Sequence, residues 1–86
     1  MRIDGRNVLV TGGSRGIGLE LVRALAAQGA RVGLCSRSER GPAALDALGE
    51  QVRHFCCDLS APDDVVAFAA RLRREFGAPS VLINNA

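Results

Sequence analysis

The 86 residues contain no tryptophan and no tyrosine, and their 11 basic residues are all arginine, so lysine is absent too. Without Trp or Tyr, the chain lacks the aromatic platforms on which single-stranded bases stack most strongly. The 9 acids leave a net charge of +2, spread along the chain with no basic block, which argues against a nucleic-acid footprint. The densest basic cluster, Arg71, Arg73 and Arg74, shares a predicted helix with Asp63, Asp64 and Glu75 and reads as a solvated face. Cysteine is scarce: Cys35, Cys56 and Cys57 are odd in number and lack C-x-x-C spacing, which suggests neither a disulfide framework nor a zinc site. Adjacent Cys56 and Cys57 point to opposite faces of a strand and cannot easily share a metal. His54, the sole histidine of these residues, alternates with Phe55 on that strand and is expected to be structural or surface-exposed. No apolar run approaches the ~18 residues of a membrane span. Met1-Arg2-Ile3-Asp4 has no secretory h-region, so a soluble cytoplasmic chain is the expectation.

Glycine is abundant where the chain turns from strand to helix. Thr11-Gly12-Gly13-Ser14-Arg15-Gly16-Ile17-Gly18 follows the apolar run Val8-Leu9-Val10 and precedes the helical pattern Leu21-Val22-Ala24-Leu25. Glycines there permit positive φ and remove the Cβ that would hold an anion off, while free N–H groups and the positive end of the helix attract it. The spacing Gly12-x-x-x-Gly16-x-Gly18 fits no register of G-x-G-x-x-G. It is not a P-loop either, because Leu19 stands where a phosphate-binding lysine is required.

Periodicity predicts alternating strands and helices. The strands are Asn7 to Thr11, Arg31 to Ser36, Val52 to Cys57 and Ser80 to Asn84, the last with the apolar character of a strand buried on both faces. A helix from Gly16 to about Gln28 presents Ile17, Leu21, Ala24 and Leu25. A short one runs from Pro42 to Leu48. A third starts after Ser60 as N-cap, with Asp63 completing an approximate capping box, and carries the stripe Val65, Phe68, Ala69, Leu72 and Phe76. Right-handed crossovers fold this β-α-β-α-β-α-β series into an α/β, Rossmann-type parallel sheet of order 3-2-1-4, the first half of a doubly wound domain plus one strand. Residues 1–86 form one domain at most and are expected to be part of one, truncated at the carboxyl end, because a doubly covered sheet normally needs more chain. The switch point lies between the first and fourth strands, which end in Thr11-Gly12 and Asn84-Asn85.

The T-G-x-x-x-G-x-G pattern resembles that of the short-chain dehydrogenase/reductase family, and the likeness runs from Asn7 to the last residue. It implies a nicotinamide cofactor bound by Gly12, Ser14, Arg15, Gly16, Ile17 and Gly18. Asp58-Leu59 matches the family's adenine-contacting position. Asn84-Asn85-Ala86 matches the start of N-N-A-G, which braces the central strands and lines the adenosine ribose, so Asn84 and Ala86 join the expected site. After the second strand, where an acid commonly binds the ribose hydroxyls, stand Ser36 and Arg37. No carboxylate repels a 2′-phosphate there and a guanidinium can bind it, so NADP(H) is expected, with Arg15 reinforcing the choice.

The family's catalytic serine and Tyr-x-x-x-Lys find no counterpart, since the chain has no Tyr or Lys and its serines lie in loop, cap and strand-start positions. The resemblance thus implies the amino-terminal, cofactor-binding part of an NADP(H)-dependent oxidoreductase that interconverts a carbonyl and an alcohol by hydride transfer. The segment by itself is expected to be inactive. Expected partners are a small carbonyl or alcohol substrate and, for the complete enzyme, further copies of itself, with neither nucleic acid nor membrane. A truncated or degenerate nucleotide-binding or interaction module without catalysis is the alternative. A methyltransferase or epimerase-like relative fits less well, because those usually carry other glycine spacings and an acid after the second strand.

Overall fold

The computed structural model describes residues 3–12, 16–38 and 43–84. Four strands, β1 (Asn7–Thr11), β2 (Arg31–Ser36), β3 (Val52–Cys56) and β4 (Val81–Asn84), form one parallel sheet in the order β3-β2-β1-β4. This is the order expected from right-handed crossovers. Helix α1 (Gly16–Ala27) links β1 to β2, a 3-10 segment (Ala43–Gln51) links β2 to β3, and helix α2 (Pro62–Glu75) links β3 to β4.

Strand alternation divides the core between the two faces of the sheet. Val8, Val10, Val32 and Leu34, all fully buried, face α1 and the 3-10 segment, where Val22, Leu25 and Leu45 meet them. On the other face Leu9, Cys35 and Phe55 pack against Phe68 and Leu72 of α2 and against Phe76. Phe55 is fully buried and meets Phe68 and Phe76 edge to face, at centroid distances of 5.6 and 6.2 Å. That arrangement suits the ring quadrupoles. Arg31 closes this core from below: its guanidinium lies 4.5 Å from the Phe76 ring centroid and donates to the Phe76 carbonyl at 2.8 Å.

Several local expectations are corrected. The buried face of α1 is Gly18, Val22, Leu25 and Ala26, whereas Ile17 is 82% exposed and Ala24 is exposed. Gly18 is the first buried residue of the helix, and the positions one and two turns beyond it become the core face. β4 is not buried on both sides: among the described residues only β1 pairs with it, and Leu82 is 64% exposed. β3 ends at Cys56, with the Cys57 amide still donating to the Ser36 carbonyl at 2.8 Å. Ala69 is exposed on α2.

Ser60 does not cap α2. Ala61 occupies that position without a side-chain bond, Pro62 opens the helix, and Ser60 turns back to Asp58. The short predicted helix is a 3-10 segment broken at Gly49 (φ 72°), and Pro42 lies outside the described residues. The Gln51 side-chain amide then donates to the Ala26 and Ala30 carbonyls, both at 2.7 Å, and so satisfies the open end of α1. Among the described residues no helix is long and apolar enough to cross a membrane.

Candidate functional site

In a parallel sheet every strand ends at the same edge, and here those ends carry the polar residues. Thr11 aligns with Cys35 on one side and Asn84 on the other, and Ser36 aligns with Cys56. The Thr11 hydroxyl, nearly buried, donates to Asn84 Oδ1 at 2.9 Å and ties the two strands that flank the switch point. The sequence alone does not pair these two side chains. The bridge's only sequence signal is a threonine and an asparagine at the ends of strands predicted to be neighbours.

Beyond Thr11 the backbone leaves the sheet at Gly12 (φ 73°), whose amide donates to the Cys35 carbonyl at 3.0 Å. Gly13, Ser14 and Arg15 lie outside the described residues, so the expectations placed on Ser14 and Arg15 do too. Helix α1 starts at Gly16, where φ is +62° and, among the described residues outside its chain neighbours and its own helix, no atom lies within 4 Å of where a Cβ would stand. Its first turn carries no acid, Ile17 is exposed beside it and Gly18 is buried. A helix start with no acid in its first turn and no side chain on its first residue suits an anion.

Ser36 ends β2 half-buried, with its Oγ 2.7 Å from His54 Nε2. The pair is diagonal in the register, since Ser36 aligns with Cys56 and Leu34 with His54. Burial pulls the His54 pKa below its ordinary value. Arg37 follows on the exposed surface, and its carbonyl accepts from Cys56 Sγ at 3.5 Å. Asp58 lies past the end of β3, where its Oδ1 accepts from the Ser60 hydroxyl at 2.6 Å and the Ser60 amide at 3.0 Å. These two bonds, with a smaller contribution from Arg37, hold its carboxyl below the usual carboxylate range. Leu59 beside it is 43% exposed.

The structure thus brings Gly12, Gly16, Gly18, Ser36, Arg37, Asp58, Leu59 and Asn84 to or just beyond the carboxyl edge of the sheet, while Asn85 and Ala86 lie outside the described residues. Burial pushes the Cys35 thiol up to about 11 and likewise raises Cys57, so neither of these two buried cysteines adds a ready thiolate to this edge. Among the described residues no group of three or more His, Cys, Asp and Glu side chains could hold a metal ion.

A model of the family described as short chain dehydrogenase matches residues 6–86. The 3-oxoacyl-(acyl-carrier-protein) reductase FabG of Escherichia coli is 38% identical over 100% of this chain and 36% of its own length. The sex determination protein tasselseed-2 of Zea mays is 45% identical over 99% of this chain and 26% of its own. A 3-beta-hydroxysteroid dehydrogenase of Comamonas testosteroni is 40% identical over 99% and 34%. The chain therefore spans about a third or less of the length of these relatives.

Proposed function

The chain belongs to the short-chain dehydrogenase family, and from that membership we propose that it is the cofactor-binding amino-terminal part of an NADP(H)-dependent oxidoreductase that interconverts a carbonyl and an alcohol. One observation carries the choice of cofactor: β2 ends at Ser36 and exposed Arg37 follows it, so that neither position holds a carboxylate. An acid at that point would favour an unphosphorylated ribose. A hydroxyl and a guanidinium instead offer donors to a 2′-phosphate.

The residues present fit such a ligand, since α1 begins at a positive-φ glycine whose missing Cβ faces open space. In this reading Gly12, Ser14, Arg15, Gly16, Ile17 and Gly18 form the pyrophosphate loop, and the first amides of α1 meet the negative charge. Ser36 and Arg37 select the phosphorylated ribose. Asp58 and Leu59 border the adenine, with Asp58 already fixed by its turn to Ser60. Asn84 and Ala86 border the ribose, and the Thr11 to Asn84 bond keeps β1 and β4 in register beneath it.

When bound, the nicotinamide supplies or accepts the hydride. These 86 residues contain no tyrosine or lysine to move the accompanying proton, so in this reading they hold the cofactor and do not perform acid-base catalysis. The relatives named above include a 3-oxoacyl reductase and a hydroxysteroid dehydrogenase, and on that footing we assign a small carbonyl or alcohol as substrate class. A cytoplasmic homo-oligomer is part of the same proposal. Titrating the intact protein with NADPH and NADH tests it: NADPH is expected to bind at least tenfold more tightly, a ratio of about 1.4 kcal/mol or more that one charge-assisted contact can supply. Equal or tighter NADH binding refutes the assignment.

A further inference from the structure

The Ser36 to His54 pair stands at the end of β2, where the NADP(H) reading places the 2′-phosphate, and the following inference rests on that reading. Side chains of even number on β2 and β3 share the sheet face toward the 3-10 segment, which places His54 beside Ser36. At 2.7 Å one hydrogen lies between Ser36 Oγ and His54 Nε2, and either atom can own it. If the serine owns it, Ser36 Oγ presents only lone pairs outward and repels a phosphate oxygen. If the imidazole owns it, the serine hydrogen is released to point at the anion.

We propose that His54 is a positioning residue for the phosphorylated ribose: its Nε2–H donates to Ser36 Oγ and thereby commits the serine hydroxyl to donate to a phosphomonoester. Anion binding selects this arrangement because a phosphate oxygen can only accept. The same choice is enforced by protonation, since an imidazolium has two donors and no acceptor. β3 packs on β2 and on the 3-10 segment. The 3-10 segment carries Asp46 and Glu50, and Arg37 and Cys56 stand at the ends of β2 and β3, yet burial alone accounts for the lowered pKa of His54. The imidazole is therefore neutral at neutral pH, and a phosphate docked on Ser36 raises its proton affinity.

The experiment uses the intact protein at about pH 7.5, where a phosphomonoester is dianionic, with adenosine 2′,5′-bisphosphate and adenosine 5′-monophosphate as probes. Calorimetric titration of the unmodified protein is expected to favour the bisphosphate. His54→Gln, whose amide N–H can replace the imidazole donor, is expected to keep that preference. His54→Leu is expected to lower it about fivefold, the loss of part of one hydrogen bond to a charged group. Nuclear magnetic resonance of the His54 ring in the unmodified protein supplies a readout that requires no variant to fold. Its pKa is expected to rise with the bisphosphate and not with the monophosphate.

An unchanged preference in His54→Leu, an equal weakening of both nucleotides, or a His54 pKa indifferent to the bisphosphate overturns the positioning role while leaving the NADP(H) reading intact. Absence of any preference in the unmodified protein instead overturns the NADP(H) reading, and the role of His54 with it.

Discussion

Replacing Gly16 by alanine separates what a glycine does for the fold from what it does for a ligand. Gly16 and Gly5 both have positive φ, +62° and +75°, and among the described residues beyond their chain neighbours and Gly16's own helix a Cβ at either would find nothing within 4 Å. They differ in place: Gly16 opens α1 at the carboxyl edge of the sheet, whereas Gly5 precedes β1 at the opposite edge. An alanine held in the left-handed region costs about 1–2 kcal/mol. The lower entropy of its unfolded chain offsets roughly 0.4–1 kcal/mol of that. Both variants are therefore expected to lose about 1 kcal/mol of stability, a Tm shift of a few degrees.

Nucleotide binding should not follow this parity. At Gly16 the new methyl occupies the space in front of the helix amides, and weakening one or two hydrogen bonds to a charged pyrophosphate costs about 1.5–3 kcal/mol, or roughly 10- to 100-fold in affinity. Gly16→Val, larger and β-branched, should lose more. The assay is calorimetric titration of NADPH into both alanine variants of the intact protein, with melting curves for each. If Gly16→Ala binds as tightly as Gly5→Ala, the pyrophosphate does not lie against this helix start, and the loop reading fails.

Arg37→Asp is expected to lower the NADPH to NADH affinity ratio by about tenfold or more, because it removes a charge-assisted contact and installs a repelling carboxylate; an unaltered ratio sinks the role of Arg37. Phe55→Ala should cost about 3–5 kcal/mol of stability in urea unfolding, since the ring is fully buried between two others; a loss under about 1 kcal/mol would show that the core relaxes around the gap. Asp58 should titrate below an ordinary aspartate by nuclear magnetic resonance, and Ser60→Ala should move it upward. Because its folded pKa is depressed, what it adds to stability is present above the unfolded value and disappears as pH falls through the folded one. A Ser60→Ala titration superimposable on the parent would contradict the turn.

β1 and β2 were legible to the residue because each is an apolar run ended by a change of chemistry, at Gly12 for one and at Ser36-Arg37 for the other. The strand order followed from crossover handedness together with the doubly wound pattern. The buried face of α1 is not legible in the sequence because its apolar residues nearly encircle the helix, and side-chain size does not say that Gly18, with no side chain, is the one against the sheet. β4 reads like an interior strand, yet among the described residues only β1 pairs with it. Ser60 satisfies a capping pattern, but Pro62 has no N–H to receive a cap, and the Asp58 carboxylate two residues back takes the serine instead. Within the site, the glycines and Arg37 could be read from their neighbours in sequence. The Thr11 to Asn84 and Ser36 to His54 bonds could not, because each joins two strands and depends on their register.

That register is set by the apolar face of β3, not by the polar pair it positions. Sliding β3 by one residue against β2 would turn His54 toward α2 and carry Phe55 to the opposite face. Burial of a phenylalanine contributes about 1.5–3 kcal/mol, and each of its two edge-to-face partners adds roughly 0.5–1.5 kcal/mol more. A single hydrogen bond between Ser36 and His54 is worth about 1 kcal/mol and could not hold a strand against that. The aromatic cluster on one side of the sheet therefore fixes the imidazole beside the serine on the other. A polar arrangement at the carboxyl edge of the sheet can change by substitution without loss of the fold, provided that Phe55 keeps its place between Phe68 and Phe76.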